Sequence, residues 1–157
     1  MSRTAPGKAG RIVSLNISRK KGQVKTPVPE AEVIAGEGMS SDAHRAFGHR
    51  QVSLLMLEMI EEQAARIGDK GTIPIGPGAF AENLTTEGIE LRGCRVGDEL
   101  VVGESGVRLK ITQIGKECHT KCAVFKLVGD CIMPELGVFC EVLEGGTVKV
   151  GDTIEKR

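Results

Sequence analysis

Apolar and polar residues alternate along most of this chain in short runs that glycine-rich turns separate. The clearest runs are residues 11–17, 31–35, 96–102, 107–114, 137–143, 147–150 and 153–155. Alternation with a period of two is typical of strands that bury one face. Many short strands joined by tight turns predict a mainly β fold, a closed or nearly closed β-barrel.

One stretch, residues 53–67, instead has the period of a helix. Its apolar positions are Leu54, Leu57, Ile60, Ala64 and Ile67. Ser53 is suited to capping the start of such a helix, and Gly68 to ending it. Glu62 and Arg66 stand one turn apart, where opposite charges pair. We therefore expect one principal helix packed on the barrel, with short helical turns elsewhere.

The length of 157 residues predicts a single domain with a sizeable core. Residues 1–10 are small and polar and contain Gly and Pro, which is typical of a flexible tail. The predicted domain therefore covers residues 11–157.

The composition argues against several classes of partner. The 21 basic residues balance 21 acidic ones, and the chain has no Trp, no Tyr and four Phe. Neither a nucleic-acid surface nor a membrane surface is indicated. No signal peptide or apolar span of transmembrane length is recognisable. The five cysteines are an odd number, so we expect free thiols and a cytoplasmic location.

Two polar stretches contain side chains of the types that bind ligands. Residues 36–50 have no strand or helix period and include Asp42, His44, Arg45 and Arg50. Arginine offers phosphate a rigid fork of donors. The second stretch begins Glu82-Asn83 and continues through two threonines. The alternatives are a solvated surface loop for the first stretch and turn or capping chemistry for the second.

Residues 114–139 connect two predicted strands and contain three of the cysteines, Cys118, Cys122 and Cys131. Lys116 and His119 flank Cys118, and nearby cations lower the pKa of a thiol and increase its thiolate fraction. Cys122 leads into an apolar run, where a thiol stays protonated. We therefore expect Cys118 to be the reactive thiol, with Cys122 second. For the two remaining cysteines, Cys94 and Cys140, simple burial is the favoured interpretation.

Four segments together resemble the MOSC domain family, named for the C-terminal domain of molybdenum cofactor sulfurase. They are HRQVSLL at residues 49–55, FAENLTTEGIEL at 80–91, VGDELVVGE at 96–104 and ITQIGKECHTKC at 111–122. The resemblance implies a barrel-like β fold and a role with the molybdenum cofactor (molybdopterin), in sulfur transfer as a persulfide or in cofactor binding. Stand-alone bacterial members are the most similar.

The resemblance also assigns roles to residues. Cys118 takes the place of the family cysteine, as persulfide carrier or metal ligand, with His119 and Cys122 beside it in the catalytic set. The residues proposed to bind the cofactor are Asp42, His44, Arg45, Arg50, Glu82, Asn83 and Lys116. Ser41 stands before Asp42 where many relatives have Gly.

The resemblance further implies partners. The chain lacks the pyridoxal-phosphate domain of full sulfurases, so no pyridoxal phosphate site of its own is expected. Sulfur would come from a cysteine desulfurase, or the chain would serve a partner enzyme of molybdenum cofactor biosynthesis.

Other functions remain open. Some relatives are molybdenum reductases of N-hydroxylated compounds. A structural zinc site is an alternative, because Cys118, His119, Cys122 and Cys131 are all ligand types that zinc accepts. A non-catalytic adaptor domain is another.

Overall fold

The computed structural model describes residues 7–19, 23–40, 42, 48, 50–68, 71, 75–115, 132 and 136–157. Its strands are β1 (Ala9–Ile17), β2 (Thr26–Val28), β3 (Glu30–Ile34), β4 (Gly38–Met39), β5 (Val52–Met56), β6 (Leu84–Glu87), β7 (Glu99–Val102), β8 (Val107–Ile114), β9 (Val138–Glu144), β10 (Gly146–Lys149) and β11 (Thr153–Lys156). The helix α1 (Leu57–Ile67) lies between β5 and β6.

Seven strands close into a barrel, in the order β11-β7-β8-β9-β5-β6-β1. Pairing of β1 with β11 completes the circle, and β2 extends β1 on the outside. Within the barrel β5 and β6 run parallel, and the connection between them contains α1. β3, β4 and β10 form a separate small sheet. The predicted mainly β barrel with one principal helix is confirmed.

Alternate residues of the barrel strands fill its interior. Leu54, Leu84, Leu100 and Ile111 are fully shielded from solvent there. Cys94 and Cys140 belong to the same apolar cluster, which confirms the interpretation of these two cysteines as buried residues.

The predicted helix is real but begins later than expected. Its first residue is Leu57, and Met56, which has no side-chain hydrogen bond to the helix, stands at the cap position. Ser53 lies in β5, so its expected capping role is wrong. β5 pairs with β9 on one side and β6 on the other, and these ladders satisfy its backbone as a strand.

The other end of the helix agrees with the sequence. Gly68 ends α1 with a φ of 58° and donates its N–H to the Ala64 carbonyl. Arg66 Nη2 lies 2.7 Å from Glu62 Oε1, as expected from their spacing.

A second apolar cluster lies between α1 and the outside of the barrel. It contains Leu55, Ile60, Ile67, Phe80 and Phe139, all buried. No described helix combines the length and apolar character required to span a membrane.

Several strand predictions hold to within two residues. β8 has the bounds expected, whereas β1 begins at Ala9 and β9 extends from Val138 to Glu144. The interpretation of Thr85 and Thr86 as turn residues is wrong, because both lie in β6. Their polar hydroxyl groups are not typical of a buried strand, yet this segment pairs with β1 and β5.

Candidate functional site

A cluster of buried polar side chains lies where the end of β1 meets the beginnings of β5 and β6. We call it the polar network; its members are Ser14, Asn16, Ser53, Glu82, Asn83 and Thr85. Hydrogen bonds between side chains or from side chain to backbone link them. Because all six side chains are buried, each unpaired polar group here would be costly.

Asn83 joins two strands through its side chain. Its Oδ1 accepts the Ser53 N–H at 3.0 Å and the Ser53 hydroxyl at 3.3 Å, and its Nδ2 donates to the Asn16 carbonyl at 3.1 Å. In return the Asn16 N–H donates to the Asn83 carbonyl at 2.7 Å. The amide therefore replaces ladder hydrogen bonds at the point where β6 has not yet begun.

Asn16 extends these contacts along β1. Its Nδ2 donates to the Glu82 carbonyl and to Thr85 Oγ1, both at 3.1 Å, and its Oδ1 accepts the Ser14 hydroxyl at 2.7 Å. Every polar atom of this amide thus has a partner.

Glu82 is the acidic member of the network, and its side chain is fully buried. Its Oε2 accepts the Gly78 N–H at 2.9 Å and the Thr85 hydroxyl at 2.6 Å. Its Oε1 has no hydrogen-bond partner among the described residues. Burial raises the pKa of Glu82, and the hydrogen bonds from Gly78 and Thr85, with the nearby backbone groups of Glu82 and Phe80, oppose this effect only in part.

The segment that carries Glu82 is tightly constrained. Ala81 has a φ of 65°, the one positive value among the described non-glycine residues. Gly78 has a φ of 87°, and a Cβ there would stand 2.4 Å from the Lys25 carbonyl oxygen. Only glycine fits this second position, whereas Ala81 holds a conformation that usually costs an L-residue about 1–2 kcal/mol.

Asp42, from the first polar stretch, is engaged with a buried lysine. Its Oδ1 lies 2.7 Å from Lys25 Nζ, and both side chains have no exposed surface. The same oxygen accepts the Ser18 N–H at 3.0 Å, and Ser18 Oγ lies 3.0 Å from Lys25 Nζ. The Lys25 N–H donates to the Gly78 carbonyl at 2.9 Å. Lys25 therefore connects the first polar stretch to the segment of Glu82.

Gln51 anchors the same polar stretch from its far end. Its Nε2 donates to the carbonyl oxygens of Gly36 and Gly48, each at 3.0 Å, and its Oε1 accepts the Val142 N–H. Two ends of the stretch are thus fixed to β9.

Arg50 is the cofactor-binding candidate that the structure leaves partly exposed. Its guanidinium carbon lies 5.9 Å from the centre of the Phe139 ring, within the range of a cation–π contact. Phe139 is paired with Gln113 of β8. Two residues later the Gly115 N–H donates to the Gly137 carbonyl at 2.7 Å, and this bond fixes both ends of the segment that carries Cys118.

The remaining candidates lie outside the described residues: Cys118, His119, Cys122, Cys131, Lys116, His44 and Arg45. Because residues 36–50 and 80–86 are polar, irregular and rich in ligand-type side chains, we expect both to meet the cysteine segment at one pocket, and this stays a prediction. Within the described residues, no group of three or more His, Cys, Asp or Glu is arranged to hold a metal ion. The zinc alternative depends on residues beyond that part of the chain.

Sequence reasoning missed Asn16, a member of the network, and Lys25 and Gly78, which hold the segment that carries Glu82. Lys25 is an ordinary lysine between a turn and two prolines, and nothing in its local sequence marks it as buried. Asn16 did carry a signal, because an amide within an otherwise apolar strand requires buried partners.

Solved structures of similar fold cover almost all of the chain. The YuaD protein from Bacillus subtilis matches with a TM-score of 0.76 and 20% identity, covering 94% of this chain and 95% of its own. YiiM from Geobacillus stearothermophilus matches at 0.68 with 21% identity, covering 94% and 75%. YiiM from Escherichia coli matches at 0.68 with 17% identity, covering 94% and 69%. At these identities the likeness establishes the fold alone.

Sequence comparison adds the family. No curated protein matches the chain. The model of the MOSC domain matches residues 36–155, from the first polar stretch into β11. Because this match covers more than half of the sequence, the chain belongs to the MOSC domain family.

Proposed function

We propose that this protein binds the molybdenum cofactor and uses Cys118 either to carry sulfur as a persulfide or to ligate the metal. Family membership supports the class of cofactor. The observation that carries the proposal is the contact between the Arg50 guanidinium and the Phe139 ring. Phe139 lies in β9, where it pairs with Gln113 near the end of β8. Cys118 follows Gly115 by three residues in the sequence, so a short length of chain joins it to this region.

Among the described residues, Arg50 is the side chain whose chemistry suits the phosphate end of a pterin cofactor. A guanidinium is a planar fork of donors suited to two phosphate oxygens, and the contact of Arg50 with Phe139 favours one orientation of that fork. Three other candidates already have partners within the protein. Asp42 pairs with Lys25, Glu82 accepts a hydrogen bond from Thr85, and Asn83 accepts one from Ser53. We assign these three residues to the frame of the site, and Arg50, with Lys116, to contact with the cofactor.

The molybdenum cofactor, when bound, supplies a metal centre with exchangeable oxygen and sulfur ligands. In the sulfur-carrier role the Cys118 thiolate attacks the outer sulfur of a desulfurase persulfide. A new S–S bond forms on Cys118, the S–S bond of the donor breaks, and the donor cysteine leaves as a thiolate. The exchange is balanced without a further oxidant or reductant.

The test is to purify the protein from cells that synthesise molybdenum cofactor and to measure pterin, molybdenum and zinc. Mass spectrometry of the intact protein and its peptides then locates any persulfide. We expect the wild-type protein to contain pterin and to carry a persulfide or metal on Cys118. In Cys118→Ser we expect neither a persulfide nor a metal at position 118. Because a phosphate–arginine pair contributes through charged hydrogen bonds, Arg50→Gln should retain roughly ten-fold less pterin.

Arg66→Gln is the matched control, because Arg66 is an exposed arginine on α1 whose loss should leave pterin content unchanged. Stoichiometric zinc without pterin would replace the proposal with the structural metal site. Pterin that Cys118→Ser retains, with no persulfide in either protein, would remove Cys118 from the site. If pterin binds without persulfide, turnover of an N-hydroxylated compound distinguishes the reductase role from sulfur transfer.

A further inference from the structure

Glu82 combines three features that the frame of a site does not require. Its carboxyl is fully buried, only one of its two oxygens has described hydrogen-bond partners, and the residue before it is held at a positive φ. Burying an ionised carboxylate with one bare oxygen would be very costly. A neutral carboxylic acid removes most of that cost.

The hydrogen-bond geometry indicates where the proton of a neutral Glu82 would lie. Oε2 already accepts from the Gly78 N–H and the Thr85 hydroxyl. The Thr85 hydroxyl oxygen in turn accepts from Asn16 Nδ2, so its own hydrogen points to Glu82. The unoccupied position is therefore on Oε1, where a neutral Glu82 would carry its proton.

No charged side chain among the described residues stabilises an ionised Glu82 directly. β1 presents Ser14 and Asn16 to this region, β5 presents Ser53, and β6 presents Thr85, and all of these are neutral. The segment before β2 supplies Lys25, but its ammonium group is paired with Asp42.

We propose that Glu82 is a proton-dependent latch: as a neutral acid it holds residues 76–83 against β1, and loss of its proton releases this segment. Two contacts make the release local. Gly78 is held by the Glu82 side chain and by the Lys25 backbone, and Ala81 stores backbone strain that opening relieves. On opening, the carboxyl group gives its proton to water and is solvated as a carboxylate.

The direction of the pH effect follows from burial. Burial raises the pKa of Glu82 in the closed state, whereas an opened segment returns it to about 4.3, the ordinary value for glutamate. Below that ordinary value both states are protonated and the closed state has its full stability. As pH rises towards the raised pKa, the open population increases about ten-fold per pH unit, and it levels off above that pKa.

The first test is an NMR titration of the side-chain carboxyl carbons in the wild-type protein. We expect Glu82 to keep the chemical shift of a neutral acid above pH 4.3, about the ordinary pKa of glutamate, because burial raises the pKa of this carboxyl. If Glu82 titrates near that ordinary value, the proposal is overturned.

The second test is amide hydrogen exchange as a function of pH, corrected for hydroxide catalysis. The protection of Gly78 and Ala81 should fall with rising pH, while Ile111 in the barrel wall, which donates to the Asp98 carbonyl, keeps its protection. In Glu82→Gln the protection of Gly78 and Ala81 should no longer depend on pH.

Each result decides the proposal without reference to any cofactor. If Glu82 is neutral but the protection of Gly78 does not change with pH, the release step is wrong. If Glu82→Gln does not fold, the wild-type titration and exchange profile decide alone. Failure of molybdenum binding would leave both measurements intact.

Discussion

The barrel interior and the polar network are both inaccessible to solvent, but they are held together in different ways. The interior is an apolar cluster in which Leu54, Ile111 and Cys140 pack without polar partners. The polar network is specified by individual hydrogen bonds such as that from Thr85 to Glu82. A packed interior tolerates a change of shape better than a hydrogen-bonded network tolerates the loss of one partner. The network is therefore the more easily broken region, although it is the smaller one.

The largest effect should come from breaking the Lys25–Asp42 pair beside the network. Lys25→Met leaves Asp42 buried without its cation, and we expect the free energy of unfolding to fall by about 3–5 kcal/mol. Urea denaturation measures it. Arg66→Gln, which breaks an exposed pair, should change stability by less than about 0.5 kcal/mol.

The double variant Lys25→Met with Asp42→Leu sharpens this result. It removes both charges, so most of the lost stability should return. Equal costs for Lys25→Met and Arg66→Gln would show that the pair is not buried in solution.

Within the network, Asn83→Leu should be the most damaging change. It leaves the Ser53 N–H and the Asn16 carbonyl buried without their side-chain partner, at a cost of about 2–4 kcal/mol in unfolding free energy. Ser105→Ala removes an exposed hydrogen bond to the Thr147 carbonyl and should cost no more than about 1 kcal/mol. Comparable losses in the two variants would contradict a special role for Asn83.

The network is destabilised by the loss of a polar partner, whereas the interior should be destabilised by the gain of a polar group. Cys140→Ser places a hydroxyl among apolar side chains, and we expect a loss of about 1–3 kcal/mol. Cys140→Ala creates more empty space but buries no polar atom. Thermal denaturation should therefore rank Ser below Ala at this position; the reverse order would mean that packing alone decides.

The smallest expected effect is a gain. Ala81→Gly relieves the positive φ of this residue and should stabilise the fold by about 1 kcal/mol or less, after the entropic cost of glycine. Ala64→Gly inside α1 is the control and should destabilise by about 0.5–1 kcal/mol. Destabilisation by both changes would show that Ala81 is not strained.

Some of the fold was predictable because local pattern and tertiary role agree. β8 alternates cleanly, since one face meets the interior and the other is accessible. The same reasoning failed for β5, most of which was predicted to be the start of the helix. All five of its residues are buried, because the barrel interior takes one face while the second apolar cluster and the polar network cover the other. A strand buried on both faces loses its alternation and is easily read as part of a neighbouring helix.

The candidate site shows a different limit. Asp42, Glu82 and Asn83 were singled out because their side chains are ligand types, and the structure places each in a buried arrangement with scaffold partners. Those partners come from distant parts of the chain, such as Asn16, 67 positions from Asn83. Sequence alone shows which groups are able to bind a ligand, but not which ones are already occupied by each other.

The seam between β1 and β11 has a consequence for how the chain folds. It pairs Ala9 with Glu155, residues near opposite ends of the sequence, so closing the barrel brings together segments that most of the chain separates. The entropy lost in such a closure grows with the length of the loop, and non-local contacts slow folding. Local units such as the β7–β8 hairpin can form during synthesis. The barrel itself can close only after β11 has left the ribosome, because β11 pairs with β1.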